Sequence, residues 1–247
     1  MIAPHVIYKD AHILVLDKPS GMEVRELGQW VRNNFKLSGS DEDFLKRGGL
    51  VHRLDKPTSG IILAALKYDA FINLQKQFKE RQVKKEYLAL VHGTMKENEG
   101  IIETPVKRSP FNPLRFSASS EGRVSQTSYQ VLERFQIPKD TLTPSFRKSK
   151  DPFLTTVTLV RAMPKTGRTH QIRVHFKHLG HPLVGDTTYT GRKMLRNDAR
   201  WCPRLFLHAG NLQIKHPQTG RILSFESPLS NTLETVLTLL YNENDQI

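Results

Sequence analysis

Residues 51–66 read Val51-His52-Arg53-Leu54-Asp55-Lys56-Pro57-Thr58-Ser59-Gly60-Ile61-Ile62-Leu63-Ala64-Ala65-Leu66, a polar loop that runs straight into six apolar residues. A short apolar run bounded by turn residues has the pattern of a buried strand. A loop this rich in charge, Pro and Gly beside such a strand places its side chains firmly at the end of a sheet. Taken alone, Asp55 reads more readily as a turn residue and nothing more. Outward from this stretch lie further strand-like runs at 12–16, 86–91, 124–133 and 153–160, rich in β-branched residues. Phe71, Leu74 and Phe78 share one helical face and predict a helix over 70–81 capped by Asp69. Ile172, Phe176 and Leu179 predict another over 169–179, with Gly180 as its stop. Leu233, Val236, Leu237 and Leu240 predict a last one, started by Asn231 and Glu234. Strands in succession with few helices between them favour a mixed α+β sheet over a doubly wound parallel one.

Three segments read as loops: 34–49, 105–123 and 138–152, all polar and rich in Ser, Gly, Pro or Lys. The middle one combines basic residues with Phe111 and Phe116, the composition needed to grip single-stranded nucleic acid; a solvated connection is the plainer reading. The 247 residues carry 37 Lys and Arg against 24 Asp and Glu, a net charge of +13. That balance favours a polyanionic partner, although it also serves solubility.

The single cysteine, Cys202, excludes an internal disulfide and any multi-thiolate zinc site, and suggests a reducing compartment. No apolar run approaches the roughly 18 residues of a membrane span, and the N-terminus lacks a secretory pattern. The expectation is a cytoplasmic protein with no membrane partner. No G-x-G-x-x-G, G-x-x-x-x-G-K-[ST] or G-x-S-x-G motif occurs, so no nucleotide cofactor is expected and a serine hydrolase is disfavoured. His175, His178 and His181 recur every three residues but drift around a helix, and no carboxylate–histidine pattern completes a zinc site, so no metal is expected.

Several motifs together make the reading specific. HRLDKPTSG (52–60) is similar to the HRLD-x-x-TSG motif of the RluA family of RNA pseudouridine synthases. In the same order, DKPSG (17–21), FKERQVKKEYL (78–88), TGRTHQIRVH (166–175), GHPLVGD (180–186), LHA (207–209) and the HP and TG pairs at 216–220 resemble that family's further motifs. The resemblance covers nearly the whole chain. It implies a pseudouridine synthase catalytic fold, with a mixed and largely antiparallel central sheet and the active site in a central cleft. It also implies one catalytic domain over 1–247 with no RNA-binding domain ahead of it. Nothing in the sequence suggests an oligomerisation face, so a monomer without an obligate protein partner is expected. Lys56-Pro57 resembles the branch acting on tRNA, while short members act on tRNA, ribosomal RNA or both.

The implied reaction breaks the bond from ribose carbon 1 to a uracil nitrogen, turns the base and rejoins it through carbon 5. It needs no redox cofactor, metal or ATP, but it does need a carboxylate at the ribose. By resemblance that group is Asp55, with Arg173 as its guanidinium partner and Tyr87 at the target base. Arg53 is placed to fill the space that an extruded base leaves. His52, Lys84, Lys85, Arg168, Arg192 and Lys193 are candidate RNA contacts, each also readable as an ordinary surface or structural residue. Two rivals are an RNA-binding or RNA-folding protein with dispensable catalysis, and a methyltransferase carrying a nucleotide-like cofactor.

Overall fold

The computed structural model describes residues 3–242. In chain order the elements are β1 (His5–Lys9), β2 (Ile13–Lys18), α1 (Val24–Asn34), α2 (Glu42–Lys46), β3 (Ser59–Ala65), α3 (Tyr68–Lys79), β4 (Lys84–His92), β5 (Glu99–Ile102), β6 (Val106–Arg108) and β7 (Phe116–Ala118). They continue with β8 (Thr127–Gln136), α4 (Pro144–Arg147), a 3-10 turn (Pro152–Leu154), β9 (Thr156–Pro164), α5 (Gln171–His178), α6 (Arg192–Asp198), β10 (Leu207–Lys215), β11 (Ile222–Glu226), α7 (Asn231–Thr238) and β12 (Tyr241–Asn242). The fold is α+β with mixed, mostly antiparallel strand pairing, as expected. Among the described residues no helix is long and apolar enough to cross a membrane.

The chain forms two compact units. The first takes the residues up to Glu86 together with His208–Pro228. In it β1, β2 and β3 run antiparallel in succession, β3 pairs parallel with β10 through Ser59–His208 and Gly60–Ala209, and β11 lies antiparallel on β10. Every residue of β3 is buried, which explains its unbroken apolar sequence. Ile61, Leu63 and Ala65 of β3 pack with Phe71 and Leu74 of α3 and Phe44 of α2. The second unit comprises Tyr87–Leu207 and the segment from Leu229. There β4, β9 and β8 form an antiparallel series, with β5 and β12 also on β8. Val160 and Ala162 of β9 bury against Ile172 and Phe176 of α5, while Leu233 and Val236 of α7 close a second core with Phe206 and Trp201.

Several boundaries differ from the sequence expectation for physical reasons. The helix expected at 70–81 begins at Tyr68, because Lys67 takes the cap position and Asp69 falls in the first turn, where its charge suits the helix dipole. The expected helix at 169–179 is Gln171–His178, and Gly180 does turn the chain at φ +85. The last helix starts where expected, but Ser230 rather than Asn231 is its cap. All three expected loops contain structure. Asp41 accepts a hydrogen bond from the Phe44 N–H and starts the one-turn helix α2; 105–123 carries the β6–β7 hairpin. Within 138–152, expected to be a polar loop, Leu142 and Phe146 are core residues. Elements of three to five residues are too short to show a period.

Candidate active site

Asp55 is half-buried in the loop between α2 and β3, and side chains from three other motifs fix that loop. Lys18 is fully buried, and its ammonium donates to the carbonyls of Pro19, Met22 and Lys56 at 3.0, 3.0 and 3.3 Å. Ser20 donates through Oγ to the Pro57 carbonyl at 2.7 Å, and the Gly21 N–H donates to the Lys56 carbonyl at 2.8 Å. The DKPSG segment is therefore a clamp on the two residues that follow Asp55. On the other side, the Ser59 hydroxyl and His208 Nδ1 share a buried hydrogen bond of 2.9 Å, and His208 Nε2 meets the Ser227 carbonyl. This gives the LHA motif its structural reason. Gly60, at φ +109, lies so close to Ala209 that a Cβ there would approach the Ala209 carbonyl oxygen to 2.3 Å.

His52 anchors the start of the loop. Its Nε2 accepts the Leu63 N–H at 2.9 Å, and its ring stacks on Phe78 with centroids 4.8 Å apart. Burial, followed by the nearby Lys85 charge, pulls the imidazole pKa down to about 3. The ring is neutral at physiological pH and holds the loop to β3. Desolvation also lowers the Lys85 ammonium, to about 8, while Lys84 beside it is exposed.

In the second unit Arg173 is buried on α5 and grips Asp186 through two hydrogen bonds of 2.8 Å, from Nε to Oδ2 and from Nη2 to Oδ1. Its guanidinium also lies over the Tyr189 ring, 5.1 Å from the centroid. Asp186 Oδ1 accepts the N–H groups of Thr188 and Tyr189 as well, so one carboxylate shapes the following turn and aims the arginine. Tyr189 extends the network: its hydroxyl meets His170 Nδ1 at 2.8 Å and accepts the Phe116 N–H of the hairpin at 2.9 Å. His170 holds φ +56, a left-handed conformation uncommon for a residue with a Cβ. Beside it, the Gln171 side chain accepts from the Thr166 hydroxyl and the Arg168 N–H and donates to Gln126 O and Thr127 Oγ1. The TGRTHQIR motif is thus a rigid mount for Arg173.

Tyr87, half-buried on β4 opposite Ala162, borders the core formed by α5 and β9. Arg168 donates to the Val124 carbonyl and lines a cavity of about 470 Å³ with Lys107, Arg108, Phe116 and Arg123. Arg192 and Lys193 are exposed on the first turn of α6, and Arg53 is exposed in the Asp55 loop. His175 bonds to Ser125 Oγ and the Thr104 carbonyl, His181 to the His92 carbonyl, and His178 is exposed. Lys18, Asp186, Tyr189 and His208 were not singled out as individual site residues from sequence. For Lys18, Asp186 and His208 the only signal was membership of the quoted motifs; Tyr189 lies three residues beyond GHPLVGD and carried none.

The loop clamp and the arginine mount are built from the very segments that carried the family resemblance, and a family model described as RNA pseudouridylate synthase matches residues 12–178. The chain belongs to the RNA pseudouridylate synthase family. Within it, the chain is 34% identical over 249 residues to ribosomal large subunit pseudouridine synthase D of Nitrosomonas europaea, an alignment covering 96% of this chain and 65% of that protein. It is 36% identical to ribosomal large subunit pseudouridine synthase C of Salmonella typhimurium, covering 98% of this chain and 71% of that one. The chain therefore spans about two thirds of the length of these relatives. The solved structure of human RNA pseudouridylate synthase domain containing 1 superposes with a TM-score of 0.74 at 27% identity, covering 98% of this chain and 89% of that one. Like that structure, this pseudouridylate synthase chain has an α+β fold.

Proposed function

We propose that this chain isomerises uridine to pseudouridine in large-subunit ribosomal RNA. The observation that carries the reading is the clamped loop: Lys18, Ser20, His52 and Ser59 hold the Asp55 segment from several sides, in a chain that belongs to the pseudouridylate synthase family. The large-subunit synthases among its relatives support ribosomal RNA as the substrate.

In the proposed reaction the Asp55 carboxylate engages ribose carbon 1 as the bond to the uracil nitrogen breaks. It acts as a nucleophile or as the partner of developing positive charge. The base turns, carbon 5 bonds to ribose carbon 1, the carbon 5 proton leaves, and the freed nitrogen takes up a proton, so the atoms balance without a co-reactant. Family resemblance assigns Arg173, aimed by Asp186, as a cationic group of the reaction and Tyr87 as the ring that stacks on the turning base. Arg53 fills the gap left in the RNA stack, and the +13 charge supplies sequence-independent attraction to the backbone.

A tRNA substrate is the second reading, favoured by Pro57 at the second position after Asp55. Carbodiimide modification followed by primer extension, on large-subunit ribosomal RNA and on tRNA incubated with the protein, separates the two. A new stop in ribosomal RNA alone is the expected result. A stop in tRNA alone would move the substrate assignment, and no stop in either would remove the enzymatic reading.

A further inference from the structure

The unit that carries Asp55 also holds a cavity of about 680 Å³ between the catalytic loop and the α1–α2 segment. This size lies within the range of small-ligand pockets, roughly 300 to 1,000 Å³. Arg53, Leu54 and Lys56, the residues around Asp55 in the chain, line one side. Five cationic and two acidic side chains line the whole. Both acids are already matched, Glu23 by Lys56 at 2.9 Å and Asp43 by Arg47 at 3.0 Å. Arg25, Lys46 and Arg53 are exposed and make no side-chain hydrogen bond or ion pair among the described residues. The cavity thus keeps an uncompensated positive charge, over a floor where Leu50 and Leu54 are almost fully buried.

Its far wall is preformed. Gly28 of α1 lies so close to the turn after α2 that a Cβ would come within 2.6 Å of the Arg47 carbonyl oxygen. Arg32 reaches from α1 to donate to the Lys46 carbonyl at 2.6 Å and to that of Leu45 at 3.3 Å, which fixes the backbone carrying Lys46. Unmatched cations on a fixed wall beside the catalytic loop suit one chemical class, the phosphate backbone of a nucleic-acid strand, which positions the substrate without reading its bases.

We propose that this cavity binds the backbone of an RNA nucleotide adjacent to the target uridine, with its phosphates on Arg25 and Lys46. The inference rests on the chain acting on RNA, and it gives the α1–α2 segment a role in substrate alignment.

The test measures affinity for an in vitro transcript of large-subunit ribosomal RNA over a range of salt concentrations, for wild type and for Arg25→Ala/Lys46→Ala. Each lost phosphate contact lowers the slope of log affinity against log salt by roughly 0.7 to 0.9, so the double variant should lose roughly 1.5. Arg25→Lys/Lys46→Arg should retain the wild-type slope, and thermal melts of all variants should coincide. Lys148→Ala/Lys150→Ala serves as the control, since both lysines are exposed elsewhere. A wild-type slope in the Arg25/Lys46 alanine variant would overturn the inference, as would an equal loss in the control, which would show only diffuse surface charge. Turnover by wild type, measured in parallel, tests the enzymatic reading on its own, because the binding slope does not depend on it.

Discussion

Replacing Asp186 by Asn probes whether the Arg173 mount is as tightly determined as its geometry implies. Both side chains of the pair are essentially removed from solvent, at 3% and 0% exposure, and they meet through two parallel 2.8 Å hydrogen bonds. Removing one charge from a buried pair leaves the other uncompensated and costs about 3 to 5 kcal/mol. For a chain of this size each kcal/mol lowers the melting temperature by about 2 to 4 °C, so Asp186→Asn should melt roughly 6 to 20 °C below wild type. Arg173→Met/Asp186→Leu should recover part of that loss, since an apolar pair carries no desolvation penalty. Recovery should be incomplete, because the Thr188 and Tyr189 N–H groups lose their acceptor at about 1 to 3 kcal/mol for each group left buried and unpaired. Urea and thermal unfolding give the stabilities, and turnover on RNA gives the consequence for Arg173: both variants should be severely impaired. An Asp186→Asn protein within about 1 kcal/mol of wild type and fully active would refute the claim that Asp186 positions Arg173.

Lys18→Met removes a donor shared by three carbonyls and should destabilise the protein by about 2 to 3 kcal/mol while slowing turnover, as read by urea unfolding and single-turnover kinetics; a fully active, fully stable variant would argue against the clamp. His52 has a pKa of about 3 when folded against 6.5 as its ordinary value, so between these limits the unfolded chain binds a proton that the folded chain does not. Stability should therefore fall as pH drops from about 6.5 towards 3, and His52→Gln should flatten that part of the curve in urea titrations at pH 7 and 5. Gly48→Ala places a Cβ 2.2 Å from the Gly28 carbonyl oxygen at a residue with φ +62, and should lower the melting temperature by several degrees, roughly the effect of 2 kcal/mol. Trimming the hairpin tip 109–115, where Phe111 and Leu114 are 96% and 78% exposed, should weaken RNA binding several-fold without lowering the melting temperature; removing all of 105–123 should lower both, because Val106 and Phe116 pack on Val174 and Tyr189.

Much of this architecture was legible because it depends on long apolar runs and on motifs whose residues sit close together in sequence. β3 is buried along its whole length and so reads as an unbroken apolar stretch, and the faces of α3 and α5 repeat at helical spacing. The short elements were illegible for the opposite reason: α2 depends on one capping contact from Asp41, and the β6–β7 hairpin on contacts with Tyr189, 73 residues away from its partner Phe116. At the site, the motifs marked Asp55, Tyr87 and Arg173 but not what holds them. Lys18 looks like any surface lysine in sequence, and only the fold shows that carbonyls surround its ammonium. His52, a candidate RNA contact by sequence, also stacks on Phe78 and accepts from the Leu63 N–H, a structural role that no motif spells out.

The central claim is that the Asp55 carboxylate performs the isomerisation. The most direct measurement uses large-subunit ribosomal RNA carrying tritium at carbon 5 of uridine, with label release to water compared for wild type and Asp55→Asn. Release by wild type alone, with RNA binding by the variant retained, is the predicted result. Release by both proteins would contradict it by removing Asp55 from the reaction, and loss of RNA binding together with turnover would contradict it by making Asp55 a binding residue.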